Sequence, residues 1–200
     1  MIEKRRGMLL VVSGPSGVGK GTVSKCLAEE RDMIYSVSCT TRSPRPGEVD
    51  GREYRFVTEK EFLDMAEHDG FLEYASVHGH YYGTPRAPVE EAIEKGLSIR
   101  LEIDCQGALQ VMEKMPGCVS VFILPPSYGE LRRRLEGRGT ETPEEVERRL
   151  RNARDEIAAM DHYQYLVVND DLETARERLM DIVNAEKQRS CRYSPVIEEE

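Results

Sequence analysis

The residues best equipped for chemistry in this 200-residue chain lie between Gly14 and Thr22, in the stretch GPSGVGKGT. Gly14, Gly17 and Gly19 remove side chains from a short segment, so that successive backbone N–H groups can converge on one anion. Lys20 follows in the spacing G-x-x-x-x-G-K and adds a mobile ammonium that can reach the outer phosphates of a nucleotide. That motif expects Ser or Thr directly after the lysine to touch a magnesium ion, whereas this chain has Gly21 there and Thr22 next. A phosphate site is expected, with the metal held from elsewhere, or by Thr22 or a water.

Two further groups suit anions. In RSPRPGE, Arg42 to Glu48, two prolines and a glycine exclude a regular element, so Arg42 and Arg45 sit on a stiffened loop. Fixed three residues apart, they offer forked donors at small entropic cost. Between Arg132 and Arg154 eight arginines are interleaved with glutamates. Most of these read as a solvated, salt-bridged helix pair, while Arg134, Arg138 and Arg149 could close over a nucleotide. Carboxylates are placed more sparsely. Glu73 interrupts an apolar run, and Glu102 and Asp104 end LSIRLEID, a strand terminus of the kind that meets magnesium and substrate in an open α/β sheet.

The elements that must position these groups follow from periodicity. Apolar Leu9 to Val12 reads as a buried strand before the glycine loop, and Val23, Cys26 and Leu27 as a helix after it that ends near Arg31 and Asp32. Ile34 to Thr41 leans to strand. Asp50 to Val57 opens with a D-G turn and alternates, which predicts a small antiparallel piece. Lys60 to Gly70 reads as a helix with Phe62, Leu63 and Ala66 inward. Phe71 to Thr84 returns to strand, turning at Gly79 and Gly83. A helix from Pro88 to Gly96, a strand from Leu97 to Asp104, a helix from Ala108 to Lys114 and a strand from Val119 to Leu124 follow. Two helices joined by a 137–143 loop, a strand at Leu166 to Val168 and a helix from Leu172 to Gln188 complete the pattern. The alternation predicts a parallel sheet covered on both sides.

Composition narrows the partners. With 28 basic and 37 acidic residues the formal net charge is −9, which disfavours a nucleic-acid backbone as main partner. Five scattered cysteines without a C-x-x-C pair indicate neither a disulfide framework nor a zinc site. No apolar run approaches a membrane span, and MIEKRRG is followed by a strand-sized run instead of a signal-peptide core. A cytoplasmic location is expected.

The stretches GPSGVGKGT, SCTTRSPRPGE, DGREYRF, FLEYASVHGHYYGT, LEIDCQG, LRRRLEGRGTET and VVNDDL, in this order and spacing, resemble guanylate kinases over about residues 7–187. The resemblance implies an α/β fold: a P-loop NTPase-type parallel sheet covered by helices on both sides, an inserted small antiparallel β/α GMP-binding lobe and a helical lid. It implies one domain over 1–200, with core at 1–37, 85–126 and 157–190, lobe at 38–84, lid at 127–156 and a loose tail at 190–200.

The implied reaction moves the γ-phosphate of ATP to GMP, and to dGMP, with Mg2+ as cofactor, in purine nucleotide metabolism. By the same resemblance Gly14, Pro15, Ser16, Gly17, Val18, Gly19, Lys20, Gly21 and Thr22 hold ATP, with Asn169 near the adenine. Arg42, Arg45, Tyr54 and Tyr82 hold the GMP phosphate, and Ser38, Glu73, Thr84 and Asp104 meet the guanine. Lys20, Arg42, Arg134, Arg138 and Arg149 serve catalysis, although Arg132, Arg133 and Arg148 could substitute in a register shift. Thr22 and Glu102 are the candidate metal residues.

The chemistry agrees with this division. Guanine presents N1–H and N2–H2 donors on one edge, for which Glu73 is a double acceptor, while adenine would set an unprotonated nitrogen against it. The attacking atom is already an anionic phosphate oxygen, so positioning and charge neutralisation suffice without a general base. A non-catalytic guanylate-kinase-like interaction module and a kinase for AMP or a ribose phosphate are the alternatives; Lys20, Arg42 and Arg45 speak against the first, Glu73 and Tyr82 against the second. Monomer and homodimer both remain open.

Overall fold

The computed structural model describes residues 3–77, 79–137 and 142–196. In chain order the elements are β1 (Glu3–Arg5), β2 (Leu9–Ser13), α1 (Lys20–Val23), a 3-10 segment (Ser24–Glu29), β3 (Met33–Tyr35), β4 (Cys39–Thr40), β5 (Arg55–Phe56), α2 (Glu59–Glu67), β6 (Phe71–Val77) and β7 (His80–Pro85). There follow α3 (Arg86–Glu94), β8 (Ser98–Glu102), α4 (Cys105–Lys114), β9 (Val119–Leu124), α5 (Tyr128–Glu136), α6 (Pro143–Ala158), a 3-10 turn (Met160–His162), β10 (Tyr165–Val168), α7 (Leu172–Lys187) and β11 (Tyr193–Pro195).

Five strands form a parallel sheet in the order β10-β9-β2-β8-β3. Strand β2 is buried on both faces, and its alternation divides the core. Leu10 and Val12 pack with Val121, Ile123 and the α7 residues Ala175, Leu179 and Val183. Leu9 and Val11 point the other way, toward Val89, Ile93, Ala108, Val111 and Phe122. A fully buried Leu or Val is worth about 1.5–3 kcal/mol, so this doubly covered strand is a rigid base for the loop that leaves its carboxyl end. The chain leaves β2 for β3 at one edge and later returns on β2's other side as β9. The loop 14–19 therefore opens into the crevice at a topological switch point.

A second sheet, β5-β4-β7-β6, carries the lobe expected at 38–84. The pairings β4–β7 and β6–β7 are antiparallel, but β5 pairs parallel with β4, against the antiparallel piece predicted for Asp50 to Val57. The Asp50 carboxylate accepts the Phe56 N–H at 2.8 Å and the Gly51 N–H donates to the Tyr54 carbonyl. Those bonds close a compact loop where a hairpin would need a ladder. Phe62 stacks on Phe71 at 4.3 Å and on Tyr81 at 5.3 Å to form the lobe's small core. Leu63, predicted inward, is 41% exposed, because α2 spends only the Phe62 stripe on that core. Gly83 lies within β7, not at a turn; a Cβ there would come 2.9 Å from both Phe71 and Tyr74.

Helices α5 and α6 meet over a separate cluster of Leu131, Leu135, Val146, Leu150 and Ala153. A capping box of Thr142 and Glu145, with Pro143 at the first helical position, starts α6.

Two other expectations are corrected. The helix predicted from Val23 to Arg31 becomes 3-10 after Val23 and ends at Glu29. Arg176 donates to the Thr22 carbonyl at 3.2 Å and Arg100 to that of Ser24, occupying acceptors that an α-helical ladder would use. The tail predicted to be loose is tied down as far as the structure describes it. β11 pairs antiparallel with β1, and Arg192 donates to the buried Glu186 and, at 3.1 Å, to the Gly117 carbonyl. Among the described residues no helix is long and apolar enough to cross a membrane.

Candidate active site

The loop after β2 has the backbone that its glycines allow. Gly14, Gly17 and Gly19 have φ values of 144°, 88° and 95°, which L side chains rarely adopt. A Cβ on Gly14 would fall 2.3 Å from the Ile123 carbonyl oxygen, so this glycine is also required by close approach to β9. The Val18 N–H donates to the Pro15 carbonyl at 3.2 Å, and those of Thr22 and Val23 to Gly19 at 3.0 Å. These bonds curl the segment into α1. Lys20 folds its ammonium back over the loop, 2.5 Å from the Gly14 carbonyl oxygen. Burial lowers the Lys20 pKa, opposed by the nearby carboxylates of Glu156, Asp104 and Glu102.

Gly21, where the motif expects a hydroxyl, faces Glu102: a Cβ there would lie 3.3 Å from Glu102 Oε2. The half-buried carboxylate thus stands against the start of α1 at the carboxyl end of β8, and it supplies the oxygen-donor chemistry that Mg2+ prefers. Thr22 is exposed, with its carbonyl engaged by Arg176.

Facing the loop, Ser38, Tyr54, Glu73, Tyr82, Glu102 and Asp104 line one cavity of about 210 Å3. Glu73 is 9% exposed, and the wholly buried Thr84 hydroxyl donates to its Oε1 at 2.6 Å. Burial pushes its carboxyl above the ordinary glutamate range, with the Thr84 hydrogen bond opposing. Thr84 therefore stands behind Glu73, outside the residues that line the cavity. Asp104 caps α4, its Oδ1 accepting the Gly107 N–H at 2.8 Å, which leaves Oδ2 for the cavity. Tyr54 meets Tyr82 edge-on at 5.8 Å, and the Arg42 guanidinium lies 5.6 Å from the Tyr54 ring. Arg45 is exposed and outside the cavity lining. Larger clefts of about 430 Å3 beside Arg5 and Arg192, and about 590 Å3 beside Glu29 and Glu177, lie away from the loop. Convergent polar groups, not volume, mark this site.

The lid arginines divide. Arg149 on α6 reaches the loop, its Nη1 donating to Ser16 Oγ at 3.0 Å. Arg134 on α5 points behind the loop, to the carbonyls of Val18 at 3.2 Å and Asn169 at 2.9 Å and to Glu130 at 2.7 Å. Asn169 is 6% exposed and its Nδ2 donates to the Val18 carbonyl at 2.8 Å. Arg138 lies outside the described residues. Of the arginines that a register shift could substitute, Arg132 and Arg133 are paired with Glu147 at 2.6 Å and Glu130 at 2.8 Å.

Sequence reasoning missed two residues. Glu48 belongs to the arginine loop and binds it from within, yet it read as part of a solvated turn. Glu156 sits two turns after Arg149 on α6, with Oε2 buried and unpartnered near Lys20. Its seven-residue offset from Arg149 is the signal that could have found it.

A family model for guanylate kinase matches residues 6–186. The chain belongs to the guanylate kinase family. It is 52% identical to the guanylate kinase of Caldanaerobacter subterraneus subsp. tengcongensis over 188 residues, covering 94% of this chain and 91% of that one. With the enzyme of Deinococcus radiodurans it shares 52% identity over 183 residues, 91% of this chain and 77% of the other. The crystal structure of guanylate kinase from Anaplasma phagocytophilum superposes with a TM-score of 0.73 at 39% identity, covering 96% and 92% of the two chains. The parallel sheet with flanking helices and an added second sheet is thus the family's architecture.

Proposed function

We propose that this member of the guanylate kinase family, an ATP:GMP phosphotransferase, holds GMP in the Glu73 cavity and ATP on the loop Gly14–Thr22. The observation that carries the assignment is the buried Glu73 carboxylate, oriented by Thr84 within a cavity that opens beside the phosphate loop. Ionised, it is an acceptor for the two donors on the guanine edge, and adenine in the same pose would leave it facing a lone pair. Ser38 and Asp104 address the rest of the base. Tyr54, Tyr82, Arg42 and Arg45 take the acceptor phosphate.

On the donor side the N–H groups of residues 14–19 and the Lys20 ammonium neutralise the β- and γ-phosphates. Arg149, already on the loop at Ser16, and Arg138 bring positive charge over the transferred group. Glu102, with Thr22, would hold Mg2+ through its water shell, and the ion would neutralise charge on the phosphates. The acceptor oxygen is anionic, so no side chain needs to remove a proton. The lobe and the α5–α6 pair have their own small cores, so each can close over its nucleotide as a unit and exclude water. The assigned residues address base and phosphate and leave the ribose 2′ position alone, so dGMP is a second acceptor. Free thiols at Cys26, Cys39, Cys105, Cys118 and Cys191 accord with work in the cytoplasm.

An ADP-release assay over GMP, dGMP, AMP, UMP and ribose phosphates tests the reading. Turnover with GMP and dGMP far above the others is expected; faster turnover with AMP than with GMP would overturn it.

A further inference from the structure

The inference rests on the donor-site reading above and concerns Glu156, a carboxylate to which the reaction as described gives no task. It sits near the end of α6, seven residues after Arg149 and so on the same face of the helix. Two contacts fix that face. Arg149 Nη1 donates to Ser16 Oγ at 3.0 Å, which seats α6 on the phosphate loop, and the Glu156 carbonyl accepts from Cys105 Sγ at 3.9 Å, which ties the same helix to the start of α4. Between them Glu156 Oε2 is buried with no hydrogen-bond partner among the described residues. A buried carboxylate in that state needs a cation close by to keep its charge. Burial pushes its carboxyl up, while the Ser16 N–H and the Lys20 ammonium oppose that rise.

Lys20 is the cation within its field. The ammonium folds back over the loop, 2.5 Å from the Gly14 carbonyl oxygen and 3.5 Å from that of Pro15. Of the carboxylates that act on it, Glu156 comes first, ahead of Asp104 and Glu102. Those two have other partners: Asp104 accepts the Gly107 N–H at 2.8 Å, and Glu102 lies 3.9 Å from Arg100. The Cys105 thiol beside them is raised by burial and stays neutral. Glu156 alone of these groups has an unpartnered oxygen to spend on Lys20.

An anion beside a phosphate site repels every polyphosphate that enters it, so Glu156 weakens the grip of the loop. A grip that is equal for substrate and product does not speed the chemical step, and slow product release limits many enzymes. We propose that Glu156 is a positioning residue that competes with the nucleotide phosphates for the Lys20 ammonium: it holds Lys20 over the empty loop and draws it back from ADP, so that product leaves. Glu156 acts through Lys20 and touches neither nucleotide.

The test measures calorimetric binding of inorganic tripolyphosphate, ADP and GMP to wild type, Glu156→Gln and Lys20→Ala, with steady-state and single-turnover rates and thermal unfolding alongside. Gln keeps the size and an acceptor for the Ser16 N–H and removes only the charge. Glu177→Gln, which removes the same charge from the exposed face of α7, is the control. Glu156→Gln should bind tripolyphosphate and ADP about three- to tenfold tighter, with GMP affinity and the single-turnover rate near wild type and kcat about three- to tenfold lower. Unchanged or weaker tripolyphosphate binding overturns the proposal, as does tighter binding with kcat unchanged, an equal tightening in Glu177→Gln, or a parallel loss of GMP binding and thermal stability. Tripolyphosphate binding that survives in Lys20→Ala overturns the donor-site reading and the proposal with it, whereas Lys20-dependent binding that Glu156→Gln does not tighten overturns the proposal alone.

Discussion

The Arg42 guanidinium lies 2.9 Å from the Glu48 carboxylate, so the loop proposed to take the acceptor phosphate carries its own counter-ion. Glu48 Oε2 also accepts the Arg45 N–H at 2.7 Å, and Arg42 Nη1 donates to the Ser43 carbonyl at 2.7 Å. A guanidinium has five N–H groups, so the bonds to Glu48 and Ser43 and the contact with Tyr82 still leave donors for a phosphate. The Arg42 hydrogen bond holds the Glu48 carboxyl below the usual glutamate range. Glu48 therefore orders a loop that two prolines only stiffen. Replacing it with Ala should weaken GMP about tenfold while leaving guanosine, which lacks the phosphate, unchanged. Calorimetric titration of both ligands checks this; equal weakening of nucleoside and nucleotide would assign Glu48 to the whole lobe.

Glu186 makes a prediction about the tail. It is 2% exposed, accepts from Tyr165 at 2.6 Å and pairs with Arg192. Burial pushes its carboxyl up, but Tyr165, Arg192 and Arg189 outweigh burial and leave it below the usual range. A depressed folded pKa means stabilisation that is present at neutral pH and lost as pH falls through the folded value. Glu186→Ala should cost about 3 kcal/mol at pH 7, by leaving Arg192 without its carboxylate counter-ion. The gap to wild type should narrow in acid. Scanning calorimetry at pH 7 and pH 4 measures both; a gap that widens in acid would refute the pairing.

Glu73 has the opposite sign. Its pKa is raised by burial, so the folded state favours the protonated form: that contribution is present at low pH and lost as pH rises through the folded value. Glu73→Gln should therefore raise the Tm of the nucleotide-free protein at pH 7. Function runs against stability here, because only the ionised carboxylate accepts two hydrogen bonds from guanine. The kcat/KM for GMP should fall on the acid side from a pH above the ordinary glutamate value, a limb absent in the Gln variant. A pH–rate profile identical in the two proteins would remove Glu73 from base recognition.

The division between what was legible in the sequence and what was not follows the range of the interactions. The glycine loop, the parallel strands β2, β8, β9 and β10 and the acidic end of β8 could be read because local backbone chemistry and periodicity specify them, whereas Ile34 to Thr41, read as one strand-leaning segment, divides into β3 and β4 in two different sheets. The parallel β5 and the outward Leu63 could not, since Asp50 and Phe62 decide them through contacts made only in the folded lobe. The tail failed for the same reason: its anchor, Glu186, lies on α7 and reads in sequence as one more helical glutamate. In the site, residue types gave Glu73, Lys20 and Arg42 chemical roles. Whether a polar group meets ligand or supports one that does is three-dimensional information: the Thr84 hydroxyl donates to Glu73, and Arg134 and Asn169 both donate to the Val18 carbonyl, contacts that no local pattern announces.

The central claim, that one buried carboxylate selects guanine while the loop at Gly14–Thr22 holds the donor, is tested most directly by calorimetry on wild type and Glu73→Gln with GMP and with a non-hydrolysable ATP analogue. The account predicts that GMP weakens by about ten- to a hundredfold, as for a site that loses a polar partner of its ligand, and that the analogue is unaffected. Equal weakening of the two nucleotides, or no change for GMP, would contradict it.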